Sequence, residues 1–146
     1  MRWMGMRFAL FRLLTGCTVL AASCGERGDR LPETGASLEG TITYGGQKVM
    51  FAVVTVAGTD SMAFGDVKED GRYRVENVPL GEVSIGVNTD AAKGEFVSKT
   101  MAESKGKGKT RLRFVGVPPK YFEPETSGLK TTIQKGVNTY DIVIPK

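Results

Sequence analysis

The chain has 146 residues, 40% hydrophobic and 25% charged, with 20 Lys and Arg against 16 Asp and Glu, two Cys and no His. That balance suits one ordinary globular domain and excludes a collagen, a disulfide-dense scaffold and a multi-pass membrane protein. Residues 1–23 hold three of the 20 basic residues (Arg2, Arg7 and Arg12) and no acid, so without them 17 basic side chains face 16 acidic ones; most of the positive charge belongs to the leader, and no nucleic-acid partner is expected, since that needs a cationic folded surface.

Behind the arginines, Leu13 to Ser23 run for eleven residues without a charged side chain, the n-region and h-region of a signal peptide over 1–23. As a helix the run spans about 16 Å against a hydrocarbon core of about 30 Å, too short for a permanent transmembrane segment. Leu20-Ala21-Ala22-Ser23-Cys24 resembles a bacterial lipobox. The resemblance implies that Cys24 is acylated, with palmitate-type chains, and becomes the new amino terminus. Leu13-Leu14-Thr15-Gly16-Cys17 has a similar local composition, but Arg12 sits five residues before Cys17 and leaves almost no apolar segment for a peptidase to hold. Ala21 stands where Leu is usual, so cleavage near Ser23 without lipidation is the alternative. Acyl chains contribute about 0.8 kcal/mol per buried methylene, and several together hold a soluble domain on a membrane. With both cysteines in the leader region, the folded part has no thiol, which excludes disulfides, thiol redox chemistry and thiolate metal sites there. Residues 24–37 lack apolar periodicity and read as a lipidated N-terminus with a flexible tether.

From Leu38 onward, Gly, Asn, Asp and Pro punctuate short stretches of β-branched and aromatic residues, and no window shows a helical period of ten or more residues. Leu38 to Tyr44 is the first strand; Gly45-Gly46 turns it into Lys48 to Ala57, apolar on both parities and so expected to be covered on both faces. Ser61 to Val67 is a third strand, and Glu69-Asp70-Gly71 a tight turn in which Asp and Gly tolerate positive φ. Arg72 to Val75 follows with Tyr73 and Val75 inward. Pro79 breaks the pattern, and Glu82 to Thr89 resumes it with Val83, Ile85 and Val87 on one face.

Residues 91–110 carry Lys93, Lys99, Lys105, Lys107 and Lys109 with few large apolar residues, and read as a mobile polar insertion. Arg111 to Val117 is expected to be a strand with Leu112 and Phe114 inward, Pro118 to Gly128 an extended connection, and Tyr121 with Phe122 a plug at the sandwich end. Leu129, Thr131 and Ile133 alternate, Gly136-Val137-Asn138 turns the chain, and Tyr140, Ile142 and Ile144 alternate to the end. The fold class is all-β: seven or eight short strands in two packed antiparallel sheets.

Four phrases in order carry a resemblance: Leu38-Glu39-Gly40-Thr41-Ile42-Thr43-Tyr44, Glu69-Asp70-Gly71-Arg72-Tyr73, Val78-Pro79-Leu80-Gly81-Glu82 and Asn138-Thr139-Tyr140-Asp141-Ile142. Over 38–146 the chain resembles a carboxypeptidase regulatory-like domain, a transthyretin-like (prealbumin-like) β-sandwich. It is most similar to small planctomycete-type lipoproteins in which a segment like Pro119 to Leu129 precedes the last hairpin. In carboxypeptidases this sandwich is an accessory beside a separate catalytic domain, so the resemblance implies no peptidase activity. Hydroxyisourate hydrolases of the same fold rely on histidines and end in Tyr-Arg-Gly-Ser, whereas this chain has no His and ends Ile142-Val143-Ile144-Pro145-Lys146.

Without His or a domain Cys, catalysis would fall to carboxylate pairs, Ser or Thr with Lys, or Tyr. Asp66, Glu69 and Asp70 cluster around a turn but lack the Asp-x-Asp-x-Asp-Gly loop of a Ca²⁺ site, and read as a solvated turn. Ser98-Lys99 and Ser104-Lys105 lie where nothing desolvates a lysine into a base. Gly106 and Gly108 among the lysines do not form a phosphate loop. No enzyme, metal or cofactor is expected. Lys105, Lys107, Lys109, Arg111 and Arg113 would point to one side of an extended chain, a candidate anion-binding stripe for head groups, polysaccharide or an acidic partner. The plainer reading is a solvated loop entering a lysine-guarded edge strand. The functional expectation is therefore a noncatalytic, lipid-anchored, extracytoplasmic β-sandwich that meets the membrane through its anchor and an envelope protein or polysaccharide through its loops. The alternative is a carbohydrate or anionic-polymer binding module that uses the basic stripe.

Overall fold

The structure, a computed structural model, describes residues 33–104 and 113–146. Chain contacts divide the protein into Met1–Arg30 and Leu31–Lys146, and every described residue belongs to the second unit.

Among the described residues nine short strands run in the order β1 (Ala36–Tyr44), β2 (Gln47–Lys48), β3 (Val53–Ala57), β4 (Met62–Asp66), β5 (Arg72–Glu76), β6 (Gly81–Asn88), β7 (Leu129–Ile133), β8 (Gly136–Thr139) and β9 (Ile142–Ile144). Helix α1 (Lys93–Ser104) follows β6; a 3₁₀ turn (Pro119–Tyr121) and the one-turn helix α2 (Pro124–Ser127) precede β7. The strands form two sheets. Sheet I is built around β1, which pairs antiparallel with β5 (Leu38 opposite Val75, Gly40 opposite Tyr73) and with β2, and parallel with β8 and β9. Sheet II has the order β4-β3-β6-β7 and is antiparallel throughout.

The period-2 patterns decide the layering, because alternate side chains of a strand leave opposite faces. Leu38, Ile42, Tyr73, Val75, Ile142 and Ile144 of sheet I meet Val54, Val56, Val83, Ile85, Val87 and Ile133 of sheet II in one buried cluster. Removing each such side chain from water contributes about 1.5–3 kcal/mol, the main term holding the layers together. At one side the sheets meet where Val67 bridges Tyr73. There a Cβ on Gly65 would lie 2.5 Å from the Arg74 carbonyl oxygen. The Glu69-Asp70-Gly71 turn stands as expected: Gly71 has φ +74 and the Arg72 N–H donates to Asp70 Oδ1 at 3.0 Å.

Several segments depart from the sequence reading. The expected strand Lys48 to Ala57 is two strands in different sheets, joined by a crossover in which Phe51 adopts φ +58. Its double-parity apolar pattern reflects Val49, Phe51 and Ala52, all buried as the chain passes from one layer to the other.

The 91–110 insertion holds a twelve-residue helix, α1. Its inner face is Phe96, Lys99 and Thr100, with Ala92 buried just before the helix, a helical spacing with one large apolar residue. Phe96 packs on Phe51 and Phe114 with ring centroids 5.5 and 5.2 Å apart, and Lys99 pairs with Glu69. Of the expected strand Arg111 to Val117, residues 113–117 are irregular: Phe114 turns to Phe96, and the Val117 N–H donates to the buried Thr89 hydroxyl at 3.2 Å. Leu112 lies outside the described residues.

The connection 118–128 is likewise not extended, since Pro119 and Pro124 each open a helical turn and Gly128, at φ +72, ends the second. The segment covers β6 at Gly86, where a Cβ would lie 2.5 Å from the Phe122 carbonyl oxygen. Tyr121 is buried and Phe122 half-buried. The expected turn at Gly136-Val137-Asn138 is strand β8, and both β8 and β9 run parallel to β1, so sheet I is mixed rather than antiparallel.

Candidate functional site

The outer face of sheet I carries a groove of about 450 Å³ floored and walled by β1, β5, the β8–β9 junction and the 68–70 turn. Strand alternation supplies its polar walls: Glu39 and Thr41 from β1, Arg72 and Arg74 from β5, and Thr139 from β8 face outward because Leu38, Ile42, Tyr73 and Val75 face inward.

The groove exists because β8 and β9 do not form one continuous strand. At Tyr140-Asp141 the backbone departs from the ladder, and the Tyr140 carbonyl occupies the place a side chain on residue 40 would need, which only glycine leaves open. Two side chains repair the interruption. The Tyr73 hydroxyl donates to the Tyr140 carbonyl oxygen at 2.6 Å from below, and Asp141 Oδ1 accepts both the N–H and the hydroxyl of Thr41 at 2.8 Å. Burial, with the nearby Asp141 charge and Tyr140, pushes the Tyr73 phenol well above the ordinary tyrosine range. The Thr41 hydroxyl and then its N–H hold the Asp141 carboxyl below the usual carboxylate value.

The charged walls are paired among themselves. Arg74 contacts Glu39 at 3.4 Å and Glu76, whose hydrogen bond raises the guanidinium pKa, and Arg72 lies 3.7 Å from Asp70. Lys68 is a lining cation without an ion-pair partner among the described residues. Chemically the groove offers recognition more readily than bond-breaking. A carboxylate whose proton affinity is lowered is a weak base, and Thr41 spends its proton on that same carboxylate, so neither is activated for attack. A second groove, of about 410 Å³, lies where the chain enters β1, lined by Glu33, Ser37, Glu76, Asn77 and Val137 among others.

Cys24, Lys105, Lys107, Lys109 and Arg111 lie outside the described residues. Arg113 is exposed and opens the irregular 113–118 segment, so at this position the stripe is not on a strand. Asp66, Glu69 and Asp70 do not converge: Glu69 turns to Lys99 and Asp70 to the Arg72 N–H. Among the described residues no group of three or more Asp, Glu, His or Cys side chains is arranged to hold a metal ion, and no helix is long and apolar enough to cross a membrane. The sequence reading missed the sheet I groove; its available signals were Gly40 within a strand and the outward alternation of Arg72 and Arg74. No protein-family model matches the chain, and no curated protein matches it significantly.

Proposed function

We propose that the protein is a noncatalytic interaction module of the bacterial cell envelope: a transthyretin-like, carboxypeptidase regulatory-like β-sandwich, exported and tethered to a membrane through acylated Cys24. The observation that best supports this reading is the position at which the chain joins the sandwich. The Thr34 N–H donates to Asn77 Oδ1 at 2.6 Å and the Gly136 N–H to the Gly35 carbonyl at 2.9 Å, so the last residues of the 24–37 segment expected as a flexible tether are instead fixed at one end of the sheets, with β1 already begun at Ala36. The 68–71 turn and α1 lie at the other end of the strands. A domain tied at one end and carrying its longest connection at the other suits presentation to a partner, an envelope protein or a polysaccharide. The four sequence phrases shared with regulatory-like domains support the same reading.

The test is intact mass of the protein purified from membranes beside a Cys24→Ala form. The expected result is residues 24–146 plus acyl chains, with both the acyl mass and membrane fractionation lost in the variant. An unacylated chain beginning near residue 24 would overturn the anchor. A second reading, anionic-polymer binding by the Lys105–Arg113 stripe, draws on the exposure of Arg113. It predicts binding to a polyuronate that weakens steeply with salt and with neutralisation of Lys105, Lys107 and Lys109; unchanged binding rejects it.

A further inference from the structure

The strand directions give the sandwich two distinguishable ends. β1 runs from Ala36, beside Gly136 and the 77–78 loop, to Tyr44, and the Gly45 N–H then donates to the Ile144 carbonyl. At the first end stand Glu33, the 58–61 turn, the 77–81 loop and the 134–136 turn. They are tied together by the Thr34 to Asn77 bond, by the Val78 N–H on the Ala36 carbonyl at 3.2 Å, and by Gly58, whose Cβ would lie 2.5 Å from Pro79. At the second end stand the 68–71 turn and α1, joined by the Lys99–Glu69 pair and the Phe51–Phe96 contact. The nine residues of β1 separate the two ends by about 30 Å, at about 3.3 Å per residue.

We infer that the first end is a membrane-facing surface that rests on the polar layer of a bilayer, with Leu80 and Val137 at the contact, and that α1 is thereby held on the side away from the lipid. The inference rests on the reading of Cys24 as the anchor. From residue 24 to residue 33 there are nine chain steps, which reach about 30 Å if fully stretched and about 17 Å root-mean-square if flexible. A tether that short keeps its own end of the domain near the surface and leaves the other end beyond its usual reach. Around the point where it joins, Leu80 is 45% and Val137 62% exposed, and Met62 is 49% exposed beside the 58–61 turn. Such side chains gain by entering the head-group layer.

The charges at this end decide which lipid it fits. Glu33, Asp60, Glu76 and Glu82 are exposed there; Lys135 stands among them, Lys130 is taken up by Glu82 at 3.2 Å and Arg74 by Glu76 at 2.5 Å. With its carboxylates nearly balanced by cations, this end has no basic cluster to draw it to an anionic leaflet, so the surface fits a zwitterionic one.

Because residues 25–146 contain no cysteine, single cysteines report position cleanly. The lipidated protein carrying Leu80→Cys, or Ser98→Cys on α1, is labelled with a fluorophore and bound to phosphatidylcholine vesicles containing head-group spin labels. The expected result is quenching at position 80 at least about threefold that at position 98, given an end-to-end separation of about 30 Å. Replacing part of the phosphatidylcholine with phosphatidylglycerol is expected not to raise the quenching at 80; a rise that salt abolishes would overturn the fit to a zwitterionic leaflet. Equal quenching at both positions, stronger quenching at 98, or none at either in protein whose mass includes the acyl chains overturns the orientation while leaving the anchor in place. Protein without acyl mass overturns both. Amide exchange protection in β3 and β6 equal to that of the unsubstituted protein checks that Leu80→Cys leaves the fold intact.

Discussion

The two sheets bury the same kind of side chain against each other yet are held by different means. Sheet II is a regular antiparallel ladder, β4-β3-β6-β7, whose register runs unbroken across neighbouring strands. Sheet I is assembled around β1 from two antiparallel and two parallel partners, and its parallel side is interrupted at Tyr140-Asp141. In sheet II, backbone hydrogen bonds set the register, and side chains fill the core or pair on the surface, as Lys130 does with Glu82. In sheet I, individual side chains complete what the backbone leaves open. The contrast teaches that the sandwich is most sensitive to substitution in sheet I, at the residues around the Tyr140-Asp141 interruption.

Gly40→Val offers the strongest test of that contrast. A side chain at residue 40 runs into the Tyr140 carbonyl, so urea unfolding is expected to show a loss of about 3 kcal/mol or more. Gly46→Ala is the control: it has φ +78 but nothing within 4 Å of its Cβ, and should cost only about 1 kcal/mol. Equal losses would mean that the close approach at residue 40 carries no weight.

Tyr73→Phe comes next. It leaves the Tyr140 carbonyl without its donor, at a cost of about 1–3 kcal/mol. The folded-state pKa of Tyr73 is raised, so its contribution is fully present below the unfolded tyrosine value of about 10 and declines as pH rises above it. The alkaline decline should be shallower in Tyr73→Phe, as followed by chemical denaturation from neutral to alkaline pH.

In sheet II, Gly86→Ala places a methyl 2.5 Å from the Phe122 carbonyl and 3.0 Å from Pro124. It should cost about 1–3 kcal/mol by lifting the 119–127 cover. Hydrogen exchange is expected to quicken at Tyr121, Phe122 and Ser127 while β3 and β6 amides stay protected; loss of protection in β3 and β6 would show that the cover and the ladder are one unit.

The smallest effect belongs to Asp141→Asn. The folded-state pKa of Asp141 is lowered, so the stabilisation it gives is present above the unfolded aspartate value of about 3.9 and is lost as pH falls through the folded one. The variant keeps an acceptor for Thr41 and should show a shallower acid limb in thermal melts between neutral and acid pH.

The legible parts of the fold were those in which one face of a strand is buried and the other wet. Tyr73 and Val75 in β5, and Val83, Ile85 and Val87 in β6, alternate as a half-buried strand must, and all are buried. Direction was not legible, because alternation is the same for a parallel and an antiparallel neighbour; nothing in Ile142 and Ile144 tells which way β9 lies against β1. The crossover at Phe51 was obscured because residues buried while the chain changes layers look like a strand buried on both faces. Helix α1 escaped because a helix docked by one phenylalanine and an ion pair shows no apolar period. The groove beside Gly40 depends on residues about 100 positions apart, Thr41 and Asp141, a relation that local pattern does not carry. Cys24 and the cluster from Lys105 to Arg111 lie outside the described residues.

The pairing of β1 with β8 and β9 also fixes an order of events during synthesis. The strand at the centre of sheet I precedes all its partners in the chain, and two of the four, β8 and β9, pair with it across about 100 residues, Ala36 with Gly136 and Ile42 with Ile142. No truncated product can close that sheet, and closure over such sequence separations is slow compared with hairpin formation. Until β8 and β9 emerge, one whole edge of β1 waits unpaired, so sheet I closes after its other strands have been made, whereas the β3–β6 ladder of sheet II needs neither of them.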